Sequence, residues 1–67
     1  MEDNTKLDRK TLEAMGYVRS IHEDMPIYKK KDEVTVYEWA NYFTLKWKDT
    51  PLYTVGDLKA AIKEANQ

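Results

Sequence analysis

The sequence predicts a small α+β domain of two layers in the order α-β-β-β-α, an antiparallel hairpin or three-strand sheet covered by a carboxyl-terminal helix. Three observations carry this reading. Residues 34–47, VTVYEWANYFTLKW, are dominated by β-branched and aromatic types and fall into alternating faces. Residues 54–67 hold a capping pair followed by one apolar stripe at helical spacing. A chain of 67 residues is a single domain at most, and covering one sheet face with helices is among the few ways to give it a core.

The elements follow in chain order. Residues 1–5 are polar and expected to fray, leaving 6–67 as one small domain. Thr5 with Asp8 three residues later resembles a capping pair, Leu12 and Met15 are spaced by three, and Gly16 suits a left-handed C′ position; a short helix over 6–15 is predicted. Tyr17, Val18 and Ile21 then suggest a brief extended piece, ended by His22, Glu23 and Asp24. Pro26 lacks an amide hydrogen and restrains Met25 to extended geometry, so 26–30, PIYKK, reads as an edge strand that opens the sheet. The lysines of the following KKDE would guard that edge.

Residues 34–47 fit two periods. As a hairpin with its tip near Trp39, Ala40 and Asn41 and an even-numbered loop, cross-strand pairing puts Val34, Val36, Phe43, Leu45 and Trp47 on one face. Thr35, Tyr37, Trp39, Tyr42, Thr44 and Lys46 then occupy the other. As a helix, Val36, Trp39, Ala40, Phe43 and Trp47 form one stripe, and the chain becomes mostly α, helix-turn-helix or winged-helix-like. Composition favours the hairpin, although Ala40-Asn41 lacks the usual turn glycine. Thr50 and Pro51 read as a turn, and Leu52 with Tyr53 as a short bridging strand. Thr54 as N-cap with Asp57 then opens the last helix, whose stripe is Val55, Leu58, Ala61, Ile62 and Ala65, with Lys59, Lys63 and Glu64 outside it.

Composition narrows function. Without cysteine the chain has no disulfide, thiolate nucleophile or thiolate zinc ligand, and a single histidine, His22, cannot build a histidine metal cage. The charged start MEDNTKLDRK is unlike a signal peptide, and no apolar run approaches a membrane span, so a cytoplasmic protein is expected. A net charge of -1, with acids and bases interspersed, supplies no global field toward nucleic acid or anionic lipid. Glu38 falls on the inward face beside Phe43, where it is either desolvated and suited to acid-base work or free to reach water at the hairpin tip. Only Gly16 and Gly56 are present, so no glycine-rich phosphate cradle exists. No enzymatic activity, cofactor or metal is expected.

Binding fits better. Tyr28, Tyr37, Trp39, Tyr42 and Lys46 are the expected partner-binding residues of an exposed aromatic sheet face, used for another protein or a second copy, because interface centres favour tyrosine and tryptophan in a polar surround. The alternative is nucleic acid, with bases stacking on these rings and Lys29, Lys30, Lys31, Lys46 and Lys48 following phosphates as in single-strand binding. Read as a helix, VTVYEWANYF resembles the entry segment of excisionase-type winged-helix proteins. That resemblance covers about ten residues and implies a recognition helix reading the major groove; the helix that follows here, TVGDLKAAIKEANQ, carries no arginine.

Overall fold

Glu23 and Asp24 adopt left-handed backbone conformations, with φ of 50° and 67°. Two successive positive φ values make the tight turn whose twist matches a hairpin, and the chain folds back on itself there. Strand β1 (Val18–His22) pairs antiparallel with β2 (Met25–Lys29), with His22 opposite Met25 across that turn. In the computed structural model, which describes residues 2–66, β3 (Val36–Glu38) and β4 (Phe43–Leu45) complete a four-stranded antiparallel sheet in the order β1-β2-β3-β4. Helix α1 (Arg9–Ala14) precedes the sheet and helix α2 (Val55–Ala65) follows it. The architecture is the α+β type expected, with one more strand: the extended piece after the first helix is itself part of the sheet.

That added strand changes the place of residues 26–30. Strand β2 lies inside the sheet and β1 forms the edge. Pro26 is tolerated there because it sits opposite Ile21 and precedes Ile27 and Tyr28, the residues that pair with β3. The lysine after β2 serves a different purpose from edge protection. Lys30 Nζ donates to the Met15 carbonyl at 2.9 Å and lies 5.6 Å from the centre of the Tyr17 ring, so it closes the carboxyl end of α1, where a cation is favoured.

Residues 34–47 form the hairpin, and the helical, winged-helix-like reading falls with it. Val36 pairs with Leu45, Tyr37 with Thr44 and Glu38 with Phe43, while Trp39 N donates to the Tyr42 carbonyl at 2.9 Å around Ala40 and Asn41. The even loop puts Val36, Phe43 and Leu45 on one buried face, as the alternation requires. Trp47 departs from it. After the rung from Lys46 N to the Thr35 carbonyl, the chain turns with Lys48 N on the Leu45 carbonyl and Trp47 at φ 73°, which swings the indole out of the strand's alternation and leaves it 88% exposed.

The helices begin and end on local signals. In α1 the cap is Asp8 itself, whose Oδ1 accepts from Thr11 N at 2.7 Å; Thr5 is not the cap, because the helix starts only at Arg9 and Lys6 is bridged to Thr54. Gly16, at φ 97°, ends the turn that follows Met15. The capping box of α2 is complete: Asp57 N donates to Thr54 Oγ1, and the Asp57 carboxylate accepts from Thr54 N. Backbone hydrogen bonds from Tyr53 and Thr54 hold the Asp57 carboxyl below its ordinary value.

The core lies between the inner sheet face and the helical layer. Tyr28, Val36, Phe43 and Leu45 come from the sheet, Leu12 from α1, Val55 and Leu58 from α2, and Leu7, Tyr17 and Leu52 from the connections. Ala61 and Ile62 continue the α2 stripe at the margin, Val34 packs there from the sheet side, and Ala65 is exposed. Of residues 1–5, expected to fray, Met1 lies outside the described residues, and Asp3 and Thr5 join a strap along the start of α2: Val55 N donates to the Thr5 carbonyl, Leu7 N to the Tyr53 carbonyl and Gly56 N to the Asp3 carbonyl.

Candidate binding surface

Tyr37 and Thr44 face each other on the side of the sheet away from the helices, and Trp39 and Tyr42 extend that face at the hairpin tip. The Trp39 indole is held in place by Nε1 donating to Thr44 Oγ1 at 2.9 Å and by stacking on Tyr42, with centroids 6.4 Å apart and planes 30° apart. Tyr42 in turn meets the Tyr53 ring edge-on at 6.3 Å. The result is a row of three rings, Trp39, Tyr42 and Tyr53, of which Trp39 remains 47% and Tyr53 55% exposed. Each ring is positioned by the next, so little rotamer freedom remains to be lost on contact.

The rest of the outer face is flatter and more polar. Ile27 is buried there among Tyr37, Thr35, Lys29, Lys46 and His22, which together line a shallow concavity. At the far end Lys46 Nζ stands 5.0 Å from the centre of the Trp47 ring, a cation over the most exposed aromatic of the protein's described residues.

Of the five expected partner-binding residues, Tyr37, Trp39, Tyr42 and Lys46 belong to this outer surface and Tyr28 does not. Tyr28 pairs with Val36, so it takes the inner face and is fully buried. It packs edge-on against Phe43 at 6.0 Å, and its hydroxyl donates to Glu38 Oε1 at 2.6 Å. Burial pushes the phenol up to about 12, the hydrogen bond to the Glu38 carboxylate and its charge act in the same direction, and Arg19, opposite Tyr28 on β1, opposes them. Glu38 is thus half-buried with a phenol as partner, between the two outcomes open to it from sequence. Arg19 Nε is enclosed on the same face without a hydrogen-bond partner among the described residues.

The basic residues do not gather along the aromatic row. Lys30 caps α1, Lys48 Nζ lies 3.4 Å from Glu64 Oε1 on α2, and Lys46 covers Trp47. Lys29 ends β2 and Lys31 lies in the following turn, both exposed. Three exposed apolar residues lie outside the sequence expectation, Tyr53 at the aromatic row and Val18 and Ile21 on the edge strand. Tyr53 was assigned to a short bridging strand, yet only Leu52 bridges, to Phe43 on β4, and the alternation after it turns Tyr53 outward. Val18 and Ile21 are 68% and 56% exposed on β1, a strand whose pairing only the tertiary fold reveals.

Among the described residues no three His, Asp or Glu side chains gather as a metal-binding set, and no helix is long and apolar enough to cross a membrane. Comparison of the chain with protein-family models, curated proteins and solved structures found no match.

Proposed function

We propose that this chain is a small interaction protein, without catalytic activity and working in the cytoplasm, that binds another protein through the row Trp39, Tyr42 and Tyr53, with Tyr37 and Lys46 on its flank. The observation that supports it most is Trp39, pinned by a hydrogen bond and a stacked ring and still half exposed. Rigid, amphipathic aromatics in a polar surround are the residues that dominate protein interfaces when buried by a partner. An alanine change at such an anchor costs about 2 kcal/mol or more of binding.

The dispersed lysines favour a protein over nucleic acid. A single-strand platform needs cations tracking the phosphates beside the stacked bases, and here Lys30, Lys46 and Lys48 are engaged at three separate places. The test is capture from native-host lysate on immobilised protein, with and without nuclease. Wild type should retain a protein after nuclease treatment, and Trp39→Ala combined with Tyr53→Ala should lose it while unfolding as wild type does. Retention at full strength by the folded double variant, or loss on nuclease treatment, sinks this reading.

A further inference from the structure

We propose that strand β1 is a self-pairing edge, at which two copies of the chain join antiparallel about Ser20 into one continuous eight-stranded sheet. The two edges of the sheet are treated differently. The β4 edge is short and bridged by Leu52, with Phe43 N and Leu52 N each donating to the other's carbonyl. The β1 edge is five residues long, carries no proline or lysine, and exposes every residue except Arg19, a half-buried cation that is the one charge it turns toward the inner face. Apart from that one inward charge, which a second copy would meet with the apolar Ile21, the edge lacks the devices that normally prevent pairing.

Register and charge select a second copy as the occupant. Because a two-residue turn makes His22 and Met25 a hydrogen-bonded pair, alternation gives the backbone groups of Val18, Ser20 and His22 to β2 and turns those of Arg19 and Ile21 to the open side. Pairing about Ser20 sets Arg19 opposite Ile21 of the other copy, and Ile21 opposite its Arg19, so all the outward N–H and C=O groups are used. The same two-fold carries the acidic tip, Glu23 and Asp24, to the other copy's Gly16 and Tyr17, where Lys30 lies over the Tyr17 ring. Acid thus meets base twice, by symmetry, and Val18 and Ile21 lose their exposed surface. The contact is small, so the association is weak.

The test is sedimentation equilibrium of the full chain up to about 1 mM, the range in which an interface of this size is populated. Wild type should dimerise and its dimer should weaken with salt. Ile21→Lys, which places a lysine opposite Arg19 of the other copy at a position exposed in the monomer, should weaken association by at least about tenfold without unfolding the chain. Trp39→Ala should dimerise as wild type, which separates this edge from the aromatic row. Amide exchange at Arg19 and Ile21 should slow as wild-type concentration rises, a readout that does not depend on any variant folding. A wild type that stays monomeric, a dimer indifferent to Ile21→Lys, or one abolished by Trp39→Ala overturns the proposal.

Discussion

The two tryptophans show how differently the same residue type is used a few positions apart. Trp47 leaves the sheet through a left-handed turn and is 88% exposed, with Lys46 over its ring. Trp47→Ala should therefore change unfolding free energy by less than about 0.5 kcal/mol in urea denaturation, where a buried aromatic of this size would cost about 3 to 5 kcal/mol. Tyr28 is the converse case, a residue that composition offers to a partner and the fold buries. Its phenol is raised from the ordinary 10.0 to about 12, so the folded state holds its proton where the unfolded chain releases it. That contribution to stability is whole below pH 10 and lost as pH rises toward 12, because the unfolded state then binds fewer protons than the folded one. Ultraviolet titration should show one tyrosine ionising near 12, and the unfolding midpoint should fall across that window; a tyrosine complement titrating together near its ordinary value would contradict the burial.

At the scale of elements, stability rests on turns and caps that local sequence specifies unequally. The α2 cap uses favoured residues: Thr54 and Asp57 satisfy each other's backbone amides, and Thr54→Ala should cost about 1 kcal/mol, read from the shift in denaturant midpoint at unchanged slope. The β1–β2 turn is built from poorly suited ones. Glu23 and Asp24 pay for φ of 50° and 67°, conformations that asparagine and glycine adopt more readily. Replacing them with Asn-Gly should stabilise the chain by about 0.5 to 1 kcal/mol, and a lower midpoint would show that the turn is not the left-handed pair described.

Across the whole molecule, the strap before α1 and the start of α2 meet so closely that one glycine is required between them. A Cβ on Gly56 would stand 2.9 Å from the Asp3 carbonyl oxygen, the atom that accepts the Gly56 amide at 2.7 Å. Alanine is the better helix former, yet the atom it meets is backbone, and moving it undoes the strap. Gly56→Ala should thus lower the thermal midpoint by several degrees, roughly 1 kcal/mol for a domain of this size, and speed amide exchange at position 56; a rise in midpoint would mean the strap contributes nothing. In so small a chain the strap, the sheet and both helices share one core, and the outer sheet face is left uncovered by either helix.

Local chemistry was legible wherever neighbours in sequence are neighbours in space. The capping box at Thr54, the left-handed Gly16 and the inward trio Val36, Phe43 and Leu45 all follow from spacing within one element or across one even loop. The face of Tyr28 does not, because the loop between β2 and β3 sets no parity and only the observed pairing of Tyr28 with Val36 turns the ring inward. The same holds for Trp47, released when the sheet ended one turn early, and for Val18 and Ile21, whose strand exists only because β2 pairs with it. By itself the sequence determined a small domain with a capped last helix and favoured a hairpin over a helix for residues 34–47, which the observed strand pairing then decided. Tertiary pairing decided which aromatics are core and which edge stays open, because side-chain direction in a sheet depends on register, and register between distant segments is set by the packing of the whole core.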